Sequence, residues 1–255
     1  MIQVSIEKDG YVSIISIERP EVMNALSREI VDEIDKAVET IKKGGDSRCL
    51  ILYSKGNFAA GADIKDMINC NEEEAKSFIF SPTYNKIANL EIPVIAAIEG
   101  YALGGGFELA LTADIRIAGR KAKFGFPEVG LGIIPGAGGT YRAPKILGEA
   151  NAKELIFTGR IISSSEAEKM GAVNKIVDDT DVKSEAIKLA MRISSNAPMA
   201  LRAAKQMIRE GIDNPKQVQA IKNEANIWAS LFNTRDQKEG MKAFIDKRRA
   251  DFNNQ

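Results

Sequence analysis

The sequence predicts an α/β protein, because segments of strand and helix character alternate from the N-terminus to about residue 163. Compact apolar runs at residues 49–53 and 93–98 are typical of buried parallel strands, and helical patterns lie before and between them. This alternation favours parallel strands joined by crossover helices. The length of 255 residues suits one large domain, or one domain with a smaller helical appendage.

The elements follow in order from the N-terminus. Residues 3–18 alternate between apolar and polar around Asp9 and Gly10, which predicts a hairpin. Ser27 is a suitable N-cap for a helix that runs to Lys42, because apolar residues recur there at helical spacing. Residues 71–90 are predicted to be helical with a break near Pro82. A further strand is expected at residues 114–118.

From about Ser164 the pattern becomes mainly helical. Helices are predicted at residues 166–170, 182–194, 198–210, 215–232 and 237–249, with one strand at 172–177. We therefore divide the chain into a core at residues 1–195, which holds the functional site, and a helical oligomerisation region at residues 196–255. The apolar residues expected to be partly buried between subunits are Ile227, Trp228, Leu231 and Phe232.

Composition limits the location and the partners of the chain. Lys+Arg and Asp+Glu both total 35, so no overall basic field favours nucleic acid or a membrane surface. Cys49 and Cys70 form no CxxC motif, which fits a reducing compartment. The N-terminus does not resemble a signal peptide, and no apolar run approaches the roughly 18 residues of a membrane span. These features predict a cytoplasmic protein.

The sequence contains no histidine. This excludes Ser-His-Asp and Cys-His nucleophile systems and the usual imidazole metal sites, so no metal is expected. Proton transfer in an enzyme of this composition must fall to carboxylates, Lys, Tyr or Cys, and acidic residues are the first candidates.

One carboxylate lies in an unusual position. The segment EGYALGGGFELALTADI leads from three glycines into a helix that is apolar on nearly every side, yet contains Glu108. A buried carboxylate is costly unless it is paired, hydrogen-bonded or protonated. Glu108 therefore has either a structural partner or a chemical role.

Three glycine-rich stretches, at residues 58–65, 104–106 and 135–139, let backbone N–H groups approach a ligand closely. Two such groups from different loops are suited to bind one developing oxyanion, although close strand–helix packing explains any single stretch equally well. Dinucleotide binding is disfavoured because Leu109 occupies the place of the third glycine in GxGxxG. No Gly-Lys pair occurs, which excludes a P-loop.

A second carboxylate, Glu128, is the only charge between Lys123 and Arg142. A lone glutamate in a loop is ordinarily solvated. Together with Glu108, however, it suggests two carboxylates in apolar settings that are held in different protonation states, one as base and one as acid.

Four ordered segments resemble the enoyl-CoA hydratase (crotonase) family: FAAGADIKDM, EGYALGGGFELALTADI, KFGFPEVGLGIIPGAGGTYR and KEGMKAFIDKR. The likeness extends over residues 1–250. It implies a spiral of ββα turns with a helical C-terminal portion, an acyl-CoA thioester substrate and a homo-hexamer built as a dimer of trimers. It implies no separate cofactor, since coenzyme A is part of the substrate.

The resemblance also implies the roles of individual residues. Glu108 and Glu128 correspond to the acid/base pair of the hydratases, and the backbone N–H groups of Ala62 and Gly105 to the donors that bind the thioester oxygen. The residues implied to bind substrate are Ala60, Asp63, Ile64 and Lys65 along the coenzyme A path, and Phe244 and Lys247, which close over the nucleotide from a neighbouring subunit.

The sequence departs from the family pattern at two places. RPEVMNAL carries Glu21 and Val22 where the family often has a lysine and a small residue, which weakens the assignment of phosphate contacts to this element. Phe126 and Phe107 replace residues that are often Gln and a smaller side chain. In one interpretation their bulk shortens the acyl pocket, so that Phe126 contacts the substrate and short acyl chains are preferred. In the other, both rings fill the core.

The activity that the resemblance implies is addition of water to a trans-2-enoyl-CoA to give a 3-hydroxyacyl-CoA. Alternatives are an enoyl-CoA isomerase, a hydratase of an unusual acyl group such as a carnitine conjugate, and a non-catalytic scaffold that binds coenzyme A or RNA. The presence of both glutamates argues against the scaffold, and the balanced charge does not support RNA binding.

Overall fold

The structure, a computed structural model, describes residues 4–68, 70–213, 226, 230 and 233–255. The strands are β1 (Val4–Asp9), β2 (Val12–Ile17), β3 (Cys49–Tyr53), β4 (Val94–Ile98), β5 (Tyr101–Leu103), β6 (Ile115–Gly119), β7 (Lys123–Gly125), β8 (Ile161–Ser163) and β9 (Lys175–Val177).

The helices of the described residues fall into two groups. Those of the N-terminal half are α1 (Arg28–Gly44), α2 (Ile64–Met67), α3 (Glu72–Ala75), α4 (Ser81–Ala88) and α5 (Gly105–Ala110). Those that follow are α6 (Gly139–Leu147), α7 (Glu149–Thr158), α8 (Ser164–Lys169), α9 (Val182–Ser194), α10 (Pro198–Asp213) and α11 (Arg235–Ile245). None of the helices in the described ranges is long and apolar enough to cross a membrane.

The main sheet has six strands in the order β1-β2-β3-β4-β6-β9. β1 and β2 form the predicted antiparallel hairpin, whose turn lies at Gly10 and Tyr11, one residue beyond the predicted centre, and every later pair in this sheet is parallel. The α/β class predicted from the alternating pattern is thus confirmed.

A second sheet of three strands, β5-β7-β8, explains how the chain spirals. After β4 the chain turns at Gly100 (φ +53°) and enters the second sheet as β5, and after β6 it enters the same sheet as β7. A Cβ at Gly100 would lie only 2.1 Å from the carbonyl oxygen of Gly56, so this corner requires glycine. The sequence β4-β5-α5 is one ββα turn, and the spiral that the resemblance implied is confirmed.

The core lies on both faces of the main sheet. Strand side chains alternate in direction, so Leu50 and Leu52 pack toward α1, α4 and α5 while Ile51 packs toward α9. All five residues of β3 are buried, as expected for a strand covered on both faces.

Several predicted helices agree with the structure. Ser27 caps α1, since its Oγ accepts the N–H of Ile30 at 3.4 Å, and α9 has the predicted bounds. The region at 71–90 divides into α3, a short 3₁₀ helix and α4, and Pro82 lies in the first turn of α4. The predicted contact residues Ile227, Trp228, Leu231 and Phe232 lie outside the described residues.

The sequence patterns did not indicate α6, α7 or the second sheet. α6 begins directly after a glycine-rich turn and contains Pro144, both of which normally argue against a helix. Each strand of the second sheet has only three residues, too few for an alternating pattern to register.

Candidate active site

Glu108 lies on α5, a short helix buried between the two sheets. All six residues of α5 are buried, and Glu108 is only 2% exposed. Three consecutive glycines precede the carboxylate, and Gly104 has φ +48° and ψ −124°, a conformation that side-chain-bearing residues rarely adopt. The sequence can start a helix at this depth because glycine permits that turn.

The carboxylate of Glu108 has structural partners. Its Oε1 accepts the backbone N–H groups of Ala137 (2.7 Å), in the glycine-rich turn before α6, and of Gly139 (2.6 Å), the first residue of α6. Burial raises the pKa of Glu108 above its ordinary value, and these two donors and the nearby charge of Arg142 oppose that rise without cancelling it. The third glycine-rich stretch therefore supplies its N–H groups to a side chain of the protein.

Glu128 lies in the 3₁₀ helix Pro127–Leu131 and is 8% exposed. Its Oε2 is buried and has no hydrogen-bond partner in the structure. Burial, and to a smaller extent the charge of Glu108, raise the pKa of Glu128 to about 7. Near neutral pH this carboxyl group is thus poised between its protonated and ionised forms.

The backbone at the start of α5 brings the two carboxylates into one site. A Cβ on Gly104 would lie 2.8 Å from Oε1 of Glu128, so the carboxyl group of Glu128 packs directly against this residue. Gly105 follows and begins the helix that carries Glu108. The electrostatic effect of Glu108 on Glu128 agrees with this proximity.

The two predicted backbone donors are also brought together. Leu26 and Ala62 form a parallel bridge in which Leu26 bonds to the residues on either side of Ala62, namely Gly61 (2.8 Å) and Asp63 (3.0 Å). In that pattern the N–H of Ala62 points away from Leu26. Gly105 is the first residue of α5, so its N–H has no acceptor within the helix. A Cβ on Gly105 would lie 3.7 Å from the Ala62 nitrogen, and the two donors therefore border one space.

The residues implied to contact coenzyme A lie beside Ala62. Ala60 and Asp63 are half-buried, Ile64 is exposed, and Lys65 follows in α2, with its side chain outside the described part of the chain. Asp63 also forms an ion pair with Arg19 at 3.6 Å. The contacts of this segment with coenzyme A stay a prediction.

Phe244 and Lys247 lie at the C-terminal end of the chain. Phe244 belongs to α11, with its side chain outside the described part, and Lys247 is exposed just beyond the helix, with φ +53°. Their contribution to the site of a neighbouring subunit stays a prediction.

Phe126 is placed in the core. It has no accessible surface, and its ring stacks on that of Phe107 with centroids 4.8 Å apart. Phe107 is equally buried and also contacts Phe124, at 5.4 Å. This placement favours the core-filling alternative over contact between Phe126 and the acyl chain.

Three residues that support the site were not predicted. Tyr84 on α4 donates its hydroxyl to the carbonyl of Gly105 (2.8 Å), and Arg142 on α6 donates to the carbonyl of Ala137 (2.9 Å) and to Oδ1 of Asn85 (2.5 Å). Arg142 ends the charge-poor stretch that surrounds Glu128, and that isolation was the available signal. Nothing in the pattern of α4 distinguishes Tyr84 or Asn85 from ordinary helix residues.

The sequence and the fold match those of known proteins. The family model described as enoyl-CoA hydratase/isomerase matches residues 7–255. A short-chain-enoyl-CoA hydratase of Clostridium acetobutylicum is 41% identical over 250 residues, covering 96% of this chain and 95% of that protein. A crotonyl-CoA hydratase of Syntrophomonas wolfei is 42% identical over 253 residues, covering 98% and 97%.

A solved structure of an enoyl-CoA hydratase from Bacillus anthracis matches with a TM-score of 0.96 at 37% identity, covering all of both chains. The chain belongs to the enoyl-CoA hydratase/isomerase family. Within that family, full-length relatives at 41% and 42% identity support enoyl-CoA hydratase activity, that of a hydro-lyase.

Proposed function

We propose that the chain adds water across the double bond of short-chain trans-2-enoyl-CoA thioesters and forms 3-hydroxyacyl-CoA products. The observation that carries this proposal is a pair of buried carboxylates with unlike surroundings beside the free N–H groups of Ala62 and Gly105. The preference for short chains is supported by the relatives described as a short-chain-enoyl-CoA hydratase and a crotonyl-CoA hydratase.

Ala62 and Gly105 are proposed to bind the thioester oxygen. Addition of water to the conjugated thioester places negative charge on this oxygen as the enolate develops. Two fixed N–H donors bind the charged oxygen more tightly than the neutral carbonyl, which lowers the barrier. Loss of one such donor typically lowers the rate by about 10²- to 10³-fold.

Glu108 is proposed to be the base and Glu128 the acid. The two N–H donors and Arg142 favour the ionised form of Glu108, which then removes a proton from water as the oxygen bonds to Cβ. Glu128, with a pKa of about 7, delivers a proton to Cα. The sum of the two transfers is addition of one water molecule, and return of a proton from Glu108 to Glu128 restores the starting state.

The segment around Ala60, Asp63, Ile64 and Lys65 is proposed to bind coenzyme A, since it lies directly beside the oxyanion donor Ala62. We further propose a cytoplasmic location, supported by the two free cysteines, Cys49 and Cys70, which fit a reducing compartment.

A homo-hexamer, built as a dimer of trimers, is proposed as the assembly. Phe244 and Lys247 would then contact the nucleotide bound to a neighbouring subunit. The support is a set of exposed apolar side chains, Leu131, Tyr141 and Phe157, on a 3₁₀ helix, α6 and α7, of which α7 contacts the other two elements. Monomeric light scattering at micromolar concentration would contradict this assembly.

The activity is tested with crotonyl-CoA as substrate, and its hydration is monitored by the loss of absorbance of the conjugated thioester. Glu108→Gln and Glu128→Gln should each lower kcat by at least about 10²-fold, because Gln resembles Glu in shape but cannot transfer the proton. Binding of acyl-CoA should persist, since neither substitution touches the N–H groups of Ala62 and Gly105. Full hydratase activity in either variant would refute the two-carboxylate mechanism.

Exchange of solvent deuterium at Cα of a bound saturated acyl-CoA analogue distinguishes the two roles. If Glu128 is the Cα acid, exchange should fall more in Glu128→Gln than in Glu108→Gln. The opposite ranking would exchange the roles of the two glutamates.

A further inference from the structure

Arg142 is a buried cation whose hydrogen bonds go to neutral groups. Its side chain lies at the second turn of α6, and the residue is only 9% exposed. Nη1 donates to the carbonyl of Ala137 and Nη2 to Oδ1 of Asn85. Burial of a guanidinium is costly unless its donors are satisfied and a counter-charge lies near. The charge that acts on it most strongly is that of Glu108, although no direct hydrogen bond joins the two side chains.

The backbone of Ala137 connects the two side chains. Its N–H donates to Oε1 of Glu108 at 2.7 Å, and its carbonyl accepts from Nη1 of Arg142 at 2.9 Å. The guanidinium also packs against Gly138, where a Cβ would lie 2.1 Å from Nη1, and Gly138 has φ +105°. The turn is therefore shaped around Arg142 on one side and offers its N–H groups to Glu108 on the other.

Asn85 attaches this arrangement to α4. The preceding residue of that helix, Tyr84, donates its hydroxyl to the carbonyl of Gly105 at 2.8 Å. Adjacent residues of one helix thus contact both halves of the site: Tyr84 reaches the helix of the oxyanion donor, and Asn85 reaches the cation behind the Glu108 turn. Such a shared support fixes the base relative to the thioester.

We propose that Arg142 is a positioning residue for the hydration reaction, because it fixes the turn at residues 137–139 and so orients the Glu108 carboxylate toward the attacking water. The inference rests on the proposed role of Glu108 as the base. The titratable groups that face Glu108 are Arg142 from α6, Tyr84 from α4 and Glu128 from the 3₁₀ helix. Of these, Arg142 is the group that favours the ionised form.

The experiment compares Arg142→Gln with Arg142→Lys by the pH dependence of crotonyl-CoA hydration. Both variants should lower kcat by roughly 10- to 100-fold, since neither side chain spans Ala137 and Asn85 together and a displacement of about 1 Å suffices for such a loss. KM should stay within about threefold, as the oxyanion donors are untouched. Removal of the positive charge should raise the pKa of Glu108, so the acidic limb of kcat/KM should move to higher pH in Arg142→Gln and less in Arg142→Lys.

Lys145→Gln is the matched control, because it removes an exposed positive charge from the same helix and leaves the turn intact. Its activity and pH profile should equal those of the wild type. Asn85→Ala removes one anchor of Arg142 and should produce a smaller loss with a shift in the same direction. This variant carries the test if Arg142→Gln does not fold. A wild-type pH profile and kcat in folded Arg142→Gln, or in Asn85→Ala in its place, would overturn the proposal.

The double variant Glu108→Gln with Arg142→Gln separates action through Glu108 from a general structural effect. Once Glu108 is absent, the loss of Arg142 should lower kcat by less than about twofold. A full additional loss would show that Arg142 acts independently of Glu108 and would overturn the inference. An active Glu108→Gln single variant would instead contradict the role of Glu108, whatever the Arg142 variants show.

Discussion

The two carboxylates of the site have almost the same burial and opposite surroundings. Glu108 sits on a helix inside the molecule, and a backbone turn gives it two N–H donors and a cation behind them. Glu128 sits on a 3₁₀ helix near the surface, and its buried Oε2 receives no hydrogen bond. Burial raises the pKa of both glutamates, and at Glu108 the two backbone donors and Arg142 oppose that rise.

This difference explains how one reaction can use two glutamates as base and acid. The carboxylate proposed as the base, Glu108, receives hydrogen bonds from the backbone, whereas the one proposed as the acid, Glu128, has a buried Oε2 that receives none. Ionisation of Glu128 should therefore lower the free energy of unfolding, because its buried Oε2 has no hydrogen-bond donor. A loss of stability at a functional site is expected where the chemistry needs an unsatisfied group. Three measurements test this difference between the two glutamates.

The largest expected effect is a gain of stability in Glu128→Gln at alkaline pH. The folded pKa of Glu128 is about 7, above the ordinary value of 4.5, so the folded state binds this proton more tightly than the unfolded state does. Stability contributed by the protonated group is present below about pH 4.5 and is lost as the pH rises toward about 7. Above that pH, Gln should be more stable by about 3 kcal/mol, at roughly 1.4 kcal/mol for each pH unit between the two pKa values.

Urea unfolding of the wild type and the variant at pH 4.5 and pH 8.5 measures this gain. Glu108→Gln should gain less, since the donors around Glu108 oppose the effect of burial. Glu168→Gln, an exposed site on α8, is the control and should show little difference at either pH. An equal gain for Glu108 and Glu128 would remove the contrast between the two carboxylates.

The second measurement displaces Glu108 without changing its chemistry. A Cβ at Gly139 would lie 2.9 Å from Oε1 of Glu108 and 2.8 Å from Cβ of Pro135, so Gly139→Ala must move the carboxylate or the turn. We expect kcat for crotonyl-CoA hydration to fall about 100-fold, and the acidic limb to move to higher pH as the N–H donors separate from the carboxylate.

Gly136→Ala is the control within the same turn. A Cβ at Gly136 would meet only the carbonyl oxygen of Ile134, at 3.9 Å, and its φ is not positive, so activity should change by less than about twofold. Wild-type activity in Gly139→Ala would show that the orientation of Glu108 does not depend on this turn.

The sequence predicted the two carboxylates of the site but not the groups that surround them. Glu108 and Glu128 stood out as charges in apolar surroundings, and the glycine-rich stretches indicated backbone N–H donors, but the choice of Ala62 and Gly105 came from the family resemblance and stays a prediction. The sequence did not predict the hydrogen-bond partners of the site residues. The glycine-rich stretch at 135–139 donates to Glu108, and this pairing joins residues about 30 positions apart. Such pairings depend on the path of the spiral, which no local pattern records.

The second sheet and α6 illustrate the limit for the fold. Three-residue strands and a helix that contains Pro144 are stabilised by tertiary packing against β7, α5 and α7 rather than by propensity. Phe126 shows the corresponding limit for the site. The letters FGFPE place a bulky ring next to Glu128, and only the structure shows that the ring stacks on Phe107 in the core.

The smallest expected effect comes from Tyr84→Phe, which alters the support that both carboxylates share. Tyr84 is fully buried, and its hydroxyl donates to the carbonyl of Gly105, while Phe retains the ring and its packing against Phe80. Loss of one buried hydrogen bond should lower the free energy of unfolding by about 1 kcal/mol. If the loss of this hydrogen bond displaces the oxyanion donor Gly105, kcat/KM should fall about fivefold, the equivalent of about 1 kcal/mol.

The pH profile of Tyr84→Phe is a second readout. Burial raises the pKa of Tyr84 well above its ordinary value, so the substitution replaces a neutral group and both limbs of the pH profile should stay in place. A shift of the acidic limb in Tyr84→Phe would show that Tyr84 influences the ionisation of Glu108. The surroundings of Glu108 would then extend beyond its two backbone donors and Arg142.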